Sequence, residues 1–352
     1  MLLLLGACAT TERLPEQYEP PELIAAATVE EFCYVAAEIV TDSTLVRESN
    51  SYRVFEVSMP AGLEGDDDDT LISFEFYEQR VEGSSPVVIL LPILNGQKHL
   101  MRPFATYLAS RGYAAVIVDN VQRKSLLEDM IDPEPAIRRT IQRHRRVIDW
   151  IDTRPDLDSS RIGVFGASLG GVNALYLAAF DNRVSAVVPA LAGGSLPEVL
   201  VTSDERRIRL AVDGTRDELG LDDAQLLDYL REKIQTDTLL IGRHIHADRV
   251  LMVLAENDDV IPYERQLELR EAMAEPEAIT LPTSHVGTAA YLPYLRSKTL
   301  EFFDRKFTET SDHGTASLPA DTCEDSEQDI EVEPLLDSTQ KTVHNVINGA
   351  CL

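Results

Sequence analysis

The segment from Arg161 to Phe180 constrains the fold of this chain more than any other stretch. Arg161–Phe165 is apolar and rich in β-branched residues, as expected of a buried strand, and Val172–Phe180 has the composition of a helix. Between them lies Gly-Ala-Ser-Leu-Gly, a G-x-S-x-G motif centred on Ser168. A strand–turn–helix passage this tight strains the serine backbone and holds its hydroxyl above the sheet. An ordinary glycine-rich turn is the alternative, but the context favours a nucleophilic serine.

Apolar runs elsewhere in the chain alternate with helical ones. Buried strands are predicted at Pro86–Leu91, Ala114–Val118, Arg161–Phe165, Val184–Pro189, Val250–Ala255 and, more weakly, Ala278–Leu281. Helices are predicted at Leu100–Arg111, Ala136–Ile151 and Leu292–Phe307. Two earlier runs, Ser51–Val57 and Leu71–Tyr77, alternate with period two and predict an antiparallel pair. The sequence therefore predicts an α/β domain over 51–307, with a mostly parallel sheet covered by helices on both faces.

One connection is too long for a plain link between a strand and a helix. Residues 193–247 separate two of the predicted strands and include a predicted helix at Asp222–Ile234. We interpret this segment as an inserted cap over the site.

The two ends of the chain differ from the body. Leu5-Gly6-Ala7-Cys8 resembles the lipobox of exported bacterial lipoproteins, which predicts a signal over 1–8 and lipidation of Cys8. Residues 9–50 are interpreted as a tether followed by a helix over Pro21–Val40. Residues 308–352 carry ten acidic side chains and one basic one, which predicts a disordered tail. Localisation in the bacterial envelope is expected, with a cytoplasmic protein as the alternative.

The net charge of −28 argues against partners that need a basic surface. Nucleic acid and anionic membrane surfaces are both excluded on this ground, so any membrane association would rest on a lipid anchor. No cysteine or histidine cluster predicts a metal site, and no cofactor is expected. The acidic run Asp66–Asp69 could bind a cation, although such a run between strands is usually only solvated. Cys323 and Cys351 could pair in an oxidising compartment.

A serine hydroxyl needs a base to take its proton, and the base needs an orienting carboxylate. In a sheet of this kind these partners follow the serine in the order acid, then histidine. The predicted strand Val250–Ala255 runs into an acidic turn with three candidate acids, and His285 follows the next predicted strand. Those acids are Glu256, Asp258 and Asp259. Other histidines compete by composition, but His244 and His246 precede the acidic turn and break the order.

From about Ser51 to Phe307 the chain resembles an α/β-hydrolase, closest to the esterase, dienelactone-hydrolase and acetyl-xylan-esterase-like branches. The resemblance is carried by the elbow motif, by Val147–Pro155 before it, and by Leu108–Tyr113. It implies Ser168 as nucleophile and His285 as general base and later acid. In that family the acid lies four residues before the proline of a Val/Ile-Pro pair, which selects Asp258, with Asp259 and Glu256 as fallbacks.

The same resemblance implies an oxyanion hole made of two backbone N–H groups. Leu169, directly after the nucleophile, supplies one of them. The other comes from the loop after Val87–Leu91, where alignment on Gly96 and Lys98 selects Leu94, with Ile93 as the alternative.

These residues predict a serine hydrolase that cleaves a carboxylic ester through an acyl-enzyme. Its expected substrate is a small-molecule or polymer-linked ester. An amidase or peptidase using the same triad is the runner-up. A non-catalytic surface lipoprotein that keeps the scaffold to bind a partner is the alternative from another class.

Overall fold

A computed structural model describes residues 9–22, 24, 31–34, 38–63, 66, 70–94, 98–119 and 126–312 of the chain. These residues form a ten-stranded sheet and nine α-helices, numbered here in chain order. The strands are β1 Thr10–Glu12, β2 Asp42–Glu48, β3 Tyr52–Pro60, β4 Leu71–Gln79, β5 Ser85–Leu91, β6 Ala114–Val118, β7 Leu157–Ala167, β8 Val184–Ala190, β9 Leu251–Ala255 and β10 Glu277–Leu281. The helices are α1 Lys98–Ala109, α2 Pro133–Asp152, α3 Leu169–Phe180, α4 Leu196–Thr202, α5 Arg206–Leu219, α6 Asp223–Lys233, α7 Thr238–Gly242, α8 Tyr263–Ala272 and α9 Leu292–Asp312.

The sheet is parallel through its centre and antiparallel at both sides. Its order is β1-β10-β9-β8-β7-β5-β6-β4-β3-β2, and the six strands from β10 to β6 run parallel. Strands β2, β3 and β4 add an antiparallel ribbon at one side, and β1 pairs antiparallel with β10 at the other. The predicted sheet and its antiparallel N-terminal pair are confirmed. Because the carboxyl ends of parallel strands meet at one edge, the loops after β5, β7, β9 and β10 share that edge.

Each face of the sheet carries its own layer of helices. Alternate residues of β5 illustrate this, because Val87 and Ile89 pack into one apolar cluster while Val88 and Leu90 pack into another. The first cluster includes side chains of α2, α3, α8 and the 193–247 segment. The second includes side chains of α1 and α9. This arrangement explains why the central strands are apolar throughout, since both of their faces are buried.

The 193–247 segment contains helices α4 to α7 and packs on the α2–α3 side of the sheet. The helix predicted at Asp222–Ile234 is observed as α6, and Asp222 caps it through a capping box with Gln225. The segment's own apolar side chains, including Leu226 and Leu230, are buried in the same cluster as α3. Its position over Ser168 as a cap stays a prediction.

The N-terminal segment differs from the predicted tether and helix. Within the described residues of 21–40, none is helical, so the continuous helix over that range is wrong. Tertiary contacts explain the difference. Phe32 stacks on Phe180 with ring centroids 4.0 Å apart, and the Tyr34 hydroxyl donates to Asp149 Oδ2 at 2.7 Å. These side chains hold the backbone in an irregular path against α2 and α3, against its local helical preference.

Two strands in the same N-terminal region were not predicted. Thr10–Glu12 forms β1, whose Glu12 carboxylate pairs with the Arg270 guanidinium of α8 at 2.7 Å. Asp42–Glu48 forms β2, and every residue of this edge strand is exposed. A three-residue strand and a fully exposed one carry no alternation of apolar side chains, so neither stands out in the sequence.

Other expectations about the chain ends meet the limits of the described residues. Helix α9 continues to Asp312, five residues past the predicted end at Phe307. The proposed lipidation site Cys8 and the remaining tail lie outside the described residues. Cys33 is disulfide-bonded. Among the described helices, none is long and apolar enough to span a membrane.

Candidate active site

Ser168 occupies the turn between β7 and α3 in a strained backbone conformation. Its φ is 55° and its ψ is −122°, a region that residues with a side chain rarely adopt. The backbone around it tolerates only glycine. A Cβ on Gly166 would lie 1.9 Å from the carbonyl oxygen of Gly170, and a Cβ on Gly170 would lie 2.1 Å from that of Leu91. The G-x-S-x-G motif is therefore a steric requirement of the turn, as predicted.

The turn places Ser168 at the start of α3 and at the carboxyl end of the parallel strands. Its backbone N–H donates to Ala190 O at 2.8 Å, which fixes the turn to the end of β8. The serine is 9% exposed. Leu169 is the first residue of α3, so its N–H has no partner within the helix and lies at the positive end of the helix dipole.

His285 and Asp258 are brought together by the loops after β10 and β9. His285 Nδ1 lies 2.8 Å from Asp258 Oδ2 and 2.9 Å from Oδ1. The Asp258 side chain is fully buried. An ionised carboxylate only accepts hydrogen bonds, so Nδ1 carries the proton in this pair and Nε2 is left as an acceptor. This is the tautomer that a general base needs.

Backbone donors hold the Asp258 carboxylate in this orientation. Asp258 Oδ1 accepts from the N–H of Val260 at 2.9 Å and of Ile261 at 2.8 Å. The neighbouring acids Glu256 and Asp259 are exposed, and within the described residues neither contacts His285. Asp258 is thus the acid of the three that lies against the histidine.

Ser168 and His285 lie at the same edge of the sheet, because β7 and β10 both end there. Among the described residues no hydrogen bond joins their side chains, whereas the His285–Asp258 pair is fully formed. Hydrogen bonds to a catalytic serine are often long without substrate and shorten when substrate binds.

The loop after β5 lies against the start of α3. A Cβ on Gly170 would lie 2.1 Å from Leu91 O and 2.6 Å from Pro92 O, so the two backbones touch here. Pro92 has no N–H and cannot serve as an oxyanion donor. Leu94, the predicted donor, and Ile93, its alternative, follow it and are half-buried. The donor residue stays a prediction.

A partly buried ion pair lies beside this loop. Lys98, at the start of α1, is 2.6 Å from Asp119 Oδ2, just after β6. Burial raises the pKa of Asp119 from its ordinary value, and the Lys98 ammonium opposes this shift. The pair ties together the loops that follow β5 and β6.

The other histidines that compete by composition are not near an acid of this kind. His244 Nδ1 lies 2.8 Å from Glu22 O, on the N-terminal segment. His246 Nδ1 lies 4.0 Å from Asp248 Oδ1, and burial lowers the pKa of His246. His99 is exposed on α1. Of these histidines, His285 alone is paired with a buried carboxylate in the described part of the chain.

No three His, Cys, Asp or Glu side chains converge in the described ranges in a way that could hold a metal ion. Asp66 belongs to the acidic run that could bind a cation. It is instead buried in an ion pair with Arg143. Asp67, Asp68 and Asp69 lie outside the described residues.

Sequence reasoning missed one buried polar residue at the site. Gln266 of α8 is fully buried and donates to Asp258 Oδ2 at 3.1 Å. One signal was present in the sequence. Gln266 shares a helix face with the buried Leu269 and Arg270, three and four residues later.

Comparison with known proteins gives a family and a fold. The X-Pro dipeptidyl-peptidase (S15) family matches residues 40–303. The solved structure of acetyl xylan esterase from Paenibacillus sp. R4 is 19% identical, with a TM-score of 0.59 over 82% of this chain and 97% of that one. Acetyl xylan esterase 1 from Thermoanaerobacterium sp. JW/SL YS485 is 16% identical, with a TM-score of 0.60 over 78% and 94%. These likenesses confirm the α/β-hydrolase fold.

Two curated proteins match a shorter part of the chain. The quorum-quenching protein AidA of Acinetobacter baumannii (strain MDR-ZJ06) is 25% identical over 137 residues, 37% of this chain and 42% of that protein. An uncharacterized 31.7 kDa protein in the traX-finO intergenic region of Escherichia coli is 29% identical over 126 residues, 34% and 41%. The chain thus spans about two fifths of the length of each of these relatives.

Proposed function

The chain belongs to the X-Pro dipeptidyl-peptidase (S15) family, and on this premise we propose that Ser168, His285 and Asp258 form the catalytic triad of an ester hydrolase. The observation that carries the proposal is the buried Asp258 carboxylate on His285 Nδ1. A histidine oriented in this way, at the same sheet edge as a strained serine, is suited to acyl transfer.

The reaction proceeds in two halves. Ser168 Oγ attacks the ester carbonyl while its proton passes to His285 Nε2, and the Asp258 carboxylate stabilises the imidazolium that forms. The N–H groups of Leu169 and Leu94 bind the developing oxyanion. The imidazolium then protonates the leaving alkoxide, and an acyl-enzyme remains on Ser168. Water, deprotonated by His285, attacks this acyl group and releases the carboxylic acid with the serine restored.

A fluorophosphonate probe tests this mechanism, because it phosphonylates an activated serine whatever the natural substrate. Wild-type protein is expected to label, and Ser168→Ala is expected to lose both labelling and hydrolysis of p-nitrophenyl acetate. Ser185→Ala is the matched control, since Ser185 Oγ donates to Ser160 O on an exposed part of the molecule. Folded protein that does not label, with Ser168→Ala equal to wild type on every ester, would support the non-catalytic lipoprotein.

An ester substrate with a short acyl group, on a small molecule or a polymer, is the first proposal for specificity. The fold shared with two acetyl xylan esterases supports it. A panel of p-nitrophenyl esters of rising acyl length tests this. Hydrolysis that is fastest for acetate would support the proposal, and a preference for long chains would contradict it.

A dipeptidyl-peptidase on the same triad is the second candidate, and the family match favours it. An X-Pro dipeptidyl-peptidase removes a dipeptide that ends in proline, so an X-Pro-p-nitroanilide is the discriminating substrate. If this anilide is cleaved with a higher kcat/KM than p-nitrophenyl acetate, the ester proposal is wrong and the peptidase is right.

We also propose that the protein is exported to the bacterial envelope and lipidated on Cys8. The disulfide at Cys33 supports export, because such bonds persist in oxidising compartments. Mass spectrometry of the membrane fraction tests lipidation through a diacylglycerol adduct on Cys8. Peptide mapping without reduction identifies the partner of Cys33, and a Cys8–Cys33 bond would contradict lipidation.

A further inference from the structure

Gln266 is held in a single orientation between the end of β9 and the acid loop that follows it. Its side chain has no exposed surface. Its Oε1 accepts from the N–H of Ala255, the last residue of β9, at 3.1 Å. Its Nε2 donates to Ile261 O at 2.8 Å and to Asp258 Oδ2 at 3.1 Å. Both N–H groups and the carbonyl oxygen are therefore used.

This pattern fixes which way the amide points. A flipped amide would set its NH₂ against the N–H of Ala255 and its oxygen against the Asp258 carboxylate. The first contact would set a donor against a donor and the second an acceptor against an acceptor, both of them buried, so the flipped orientation is disfavoured. Gln266 consequently delivers a donor, and only a donor, to Asp258.

The position of this donor matters because Asp258 Oδ2 also contacts the histidine. That oxygen is also the closer of the two to His285 Nδ1, at 2.8 Å. The other oxygen, Oδ1, is already held by the backbone N–H groups of Val260 and Ile261. Gln266 adds a donor from outside the acid loop besides His285, since it belongs to α8 and is bonded back to β9.

We propose that Gln266 is the positioning residue that holds Asp258 Oδ2 on His285, an inference that rests on the proposed triad. Without its amide, the carboxylate keeps its loop donors but can rotate Oδ2 away from the histidine. The imidazole would then lose its orientation and its preferred tautomer. Small displacements of this kind lower kcat and leave substrate binding unchanged, because Gln266 has no exposed surface with which to contact a substrate.

Gln266→Leu tests the inference, because it removes the amide at similar length. We expect kcat for p-nitrophenyl acetate and the fluorophosphonate labelling rate to fall about tenfold to a hundredfold, with KM within about twofold. Gln79→Leu is the matched control. Gln79 Nε2 bridges Ala109 O at 2.9 Å and Tyr113 O at 2.6 Å, remote from the triad, so this variant loses two hydrogen bonds without touching Asp258.

Gln266→Glu is the second test if the leucine variant does not fold. The glutamate has nearly the same volume as Gln266 and keeps an oxygen that accepts the N–H of Ala255. Two buried carboxylates within hydrogen-bonding distance share one proton, so the introduced carboxyl group is expected to replace the amide donor near neutral pH. Loss of the shared proton at higher pH sets the two carboxylates against each other. We therefore expect an alkaline decline in kcat that wild type does not show.

The outcomes separate this inference from the proposed function. The role of Gln266 alone is overturned if wild type is active and Gln266→Leu has the same kcat as the Gln79→Leu control. The same conclusion follows if Gln266→Glu has the wild-type pH profile of kcat. Wild type that neither labels nor hydrolyses any ester or anilide overturns the triad, and the positioning role with it.

Discussion

Gly170 lies directly against the carbonyl oxygen of Leu91, so that the start of α3 touches the end of β5. A Cβ at Gly170 would approach that oxygen to 2.1 Å, far inside van der Waals contact. Because neither partner is a flexible side chain, any larger residue must move one backbone away from the other. The contact therefore sets the distance between the N–H of Leu169 and the loop that carries Leu94.

Gly170→Ala is expected to separate these two donors. We expect kcat for p-nitrophenyl acetate to fall at least about tenfold and the free energy of unfolding to fall by about 1–3 kcal/mol. Steady-state kinetics and urea unfolding, followed through the fluorescence of the single tryptophan Trp150, measure both. In contrast, Gly214→Ala in α5 has open space around its Cβ and should stabilise the protein by up to about 1 kcal/mol. Full activity in Gly170→Ala would refute this geometry.

Asp258→Asn is expected to change the tautomer of His285, with the proton moving from Nδ1 to Nε2. An asparagine keeps its oxygen for the N–H groups of Val260 and Ile261 and turns its NH₂ toward His285 Nδ1. His285 Nδ1 then becomes the acceptor, and Nε2 carries the proton and cannot act as base. We expect kcat to fall by about 10³–10⁴ with little change in KM. Asp259→Asn, on the exposed neighbour, should retain wild-type kcat. The reverse result would make Asp259 the acid.

His144 predicts a pH dependence of stability that is independent of catalysis. Its ring is fully buried on α2, and neither nitrogen has a hydrogen-bond partner in the described part of the chain. Burial, with Arg143 beside it, lowers the pKa of His144 from 6.5 to about 4. Between these values the unfolded chain binds a proton that the folded protein does not. Stability is therefore complete above pH 6.5 and falls as the pH drops toward 4.

The loss attributable to His144 is at most roughly 3 kcal/mol. His144→Leu removes the titrating group, so the free energy of unfolding should fall less between about pH 7 and pH 5 than in wild type. His99→Leu, on the exposed surface of α1, should keep the wild-type slope. Parallel slopes for His144→Leu and wild type would show that His144 does not titrate in this way.

The hydrogen bonds of Glu134 predict that the 193–247 segment is held rigidly at residues 235 and 236. This first-turn residue of α2 is buried and accepts from the N–H of Gln235 at 2.9 Å and of Thr236 at 3.0 Å. Tyr176 of α3 adds a hydrogen bond to Thr236 O at 2.8 Å. Hydrogen–deuterium exchange of residues 234–238 should be slow, and Glu134→Ala should speed it by leaving the N–H groups of Gln235 and Thr236 without their acceptor. Glu264→Ala, in the first turn of α8 but outside this contact, should not.

Much of the fold follows from the sequence because the central strands are buried on both faces. Runs such as Val87–Leu91 and Leu251–Ala255 are apolar at every position. A strand with one face exposed to solvent would instead alternate apolar and polar residues. The order of serine, acid and histidine along the chain then assigns each to a loop at one edge of the sheet. This order predicted His285 and an acidic turn with three candidate acids, and the resemblance to α/β-hydrolases selected Asp258 among them. The contact between Asp258 and His285 is observed.

The parts that escaped prediction depend on contacts between distant segments. Thr10–Glu12 is a strand only because the edge of β10 is there to pair with. Phe32 and Tyr34 leave the predicted helix because α2 and α3 bind them. The contact of Gln266 with Asp258 forms only when the acid loop packs against α8. The sequence around each segment does not name its partner, although the helix face of Gln266 indicates that its side chain is buried.

Both outer strands of the sheet, β1 and β2, come from the first fifty residues, whereas the partner of β1 is the last strand made. During synthesis on the ribosome, Thr10–Glu12 must wait unpaired until Glu277–Leu281 has emerged. Once Glu277–Leu281 has emerged, the backbone edge of β10, the strand that leads to His285, stays open to other strands until Thr10–Glu12 pairs with it. Pairing of Thr10–Glu12 thus covers the outer edge of β10 only after the last strand of the sheet has been made.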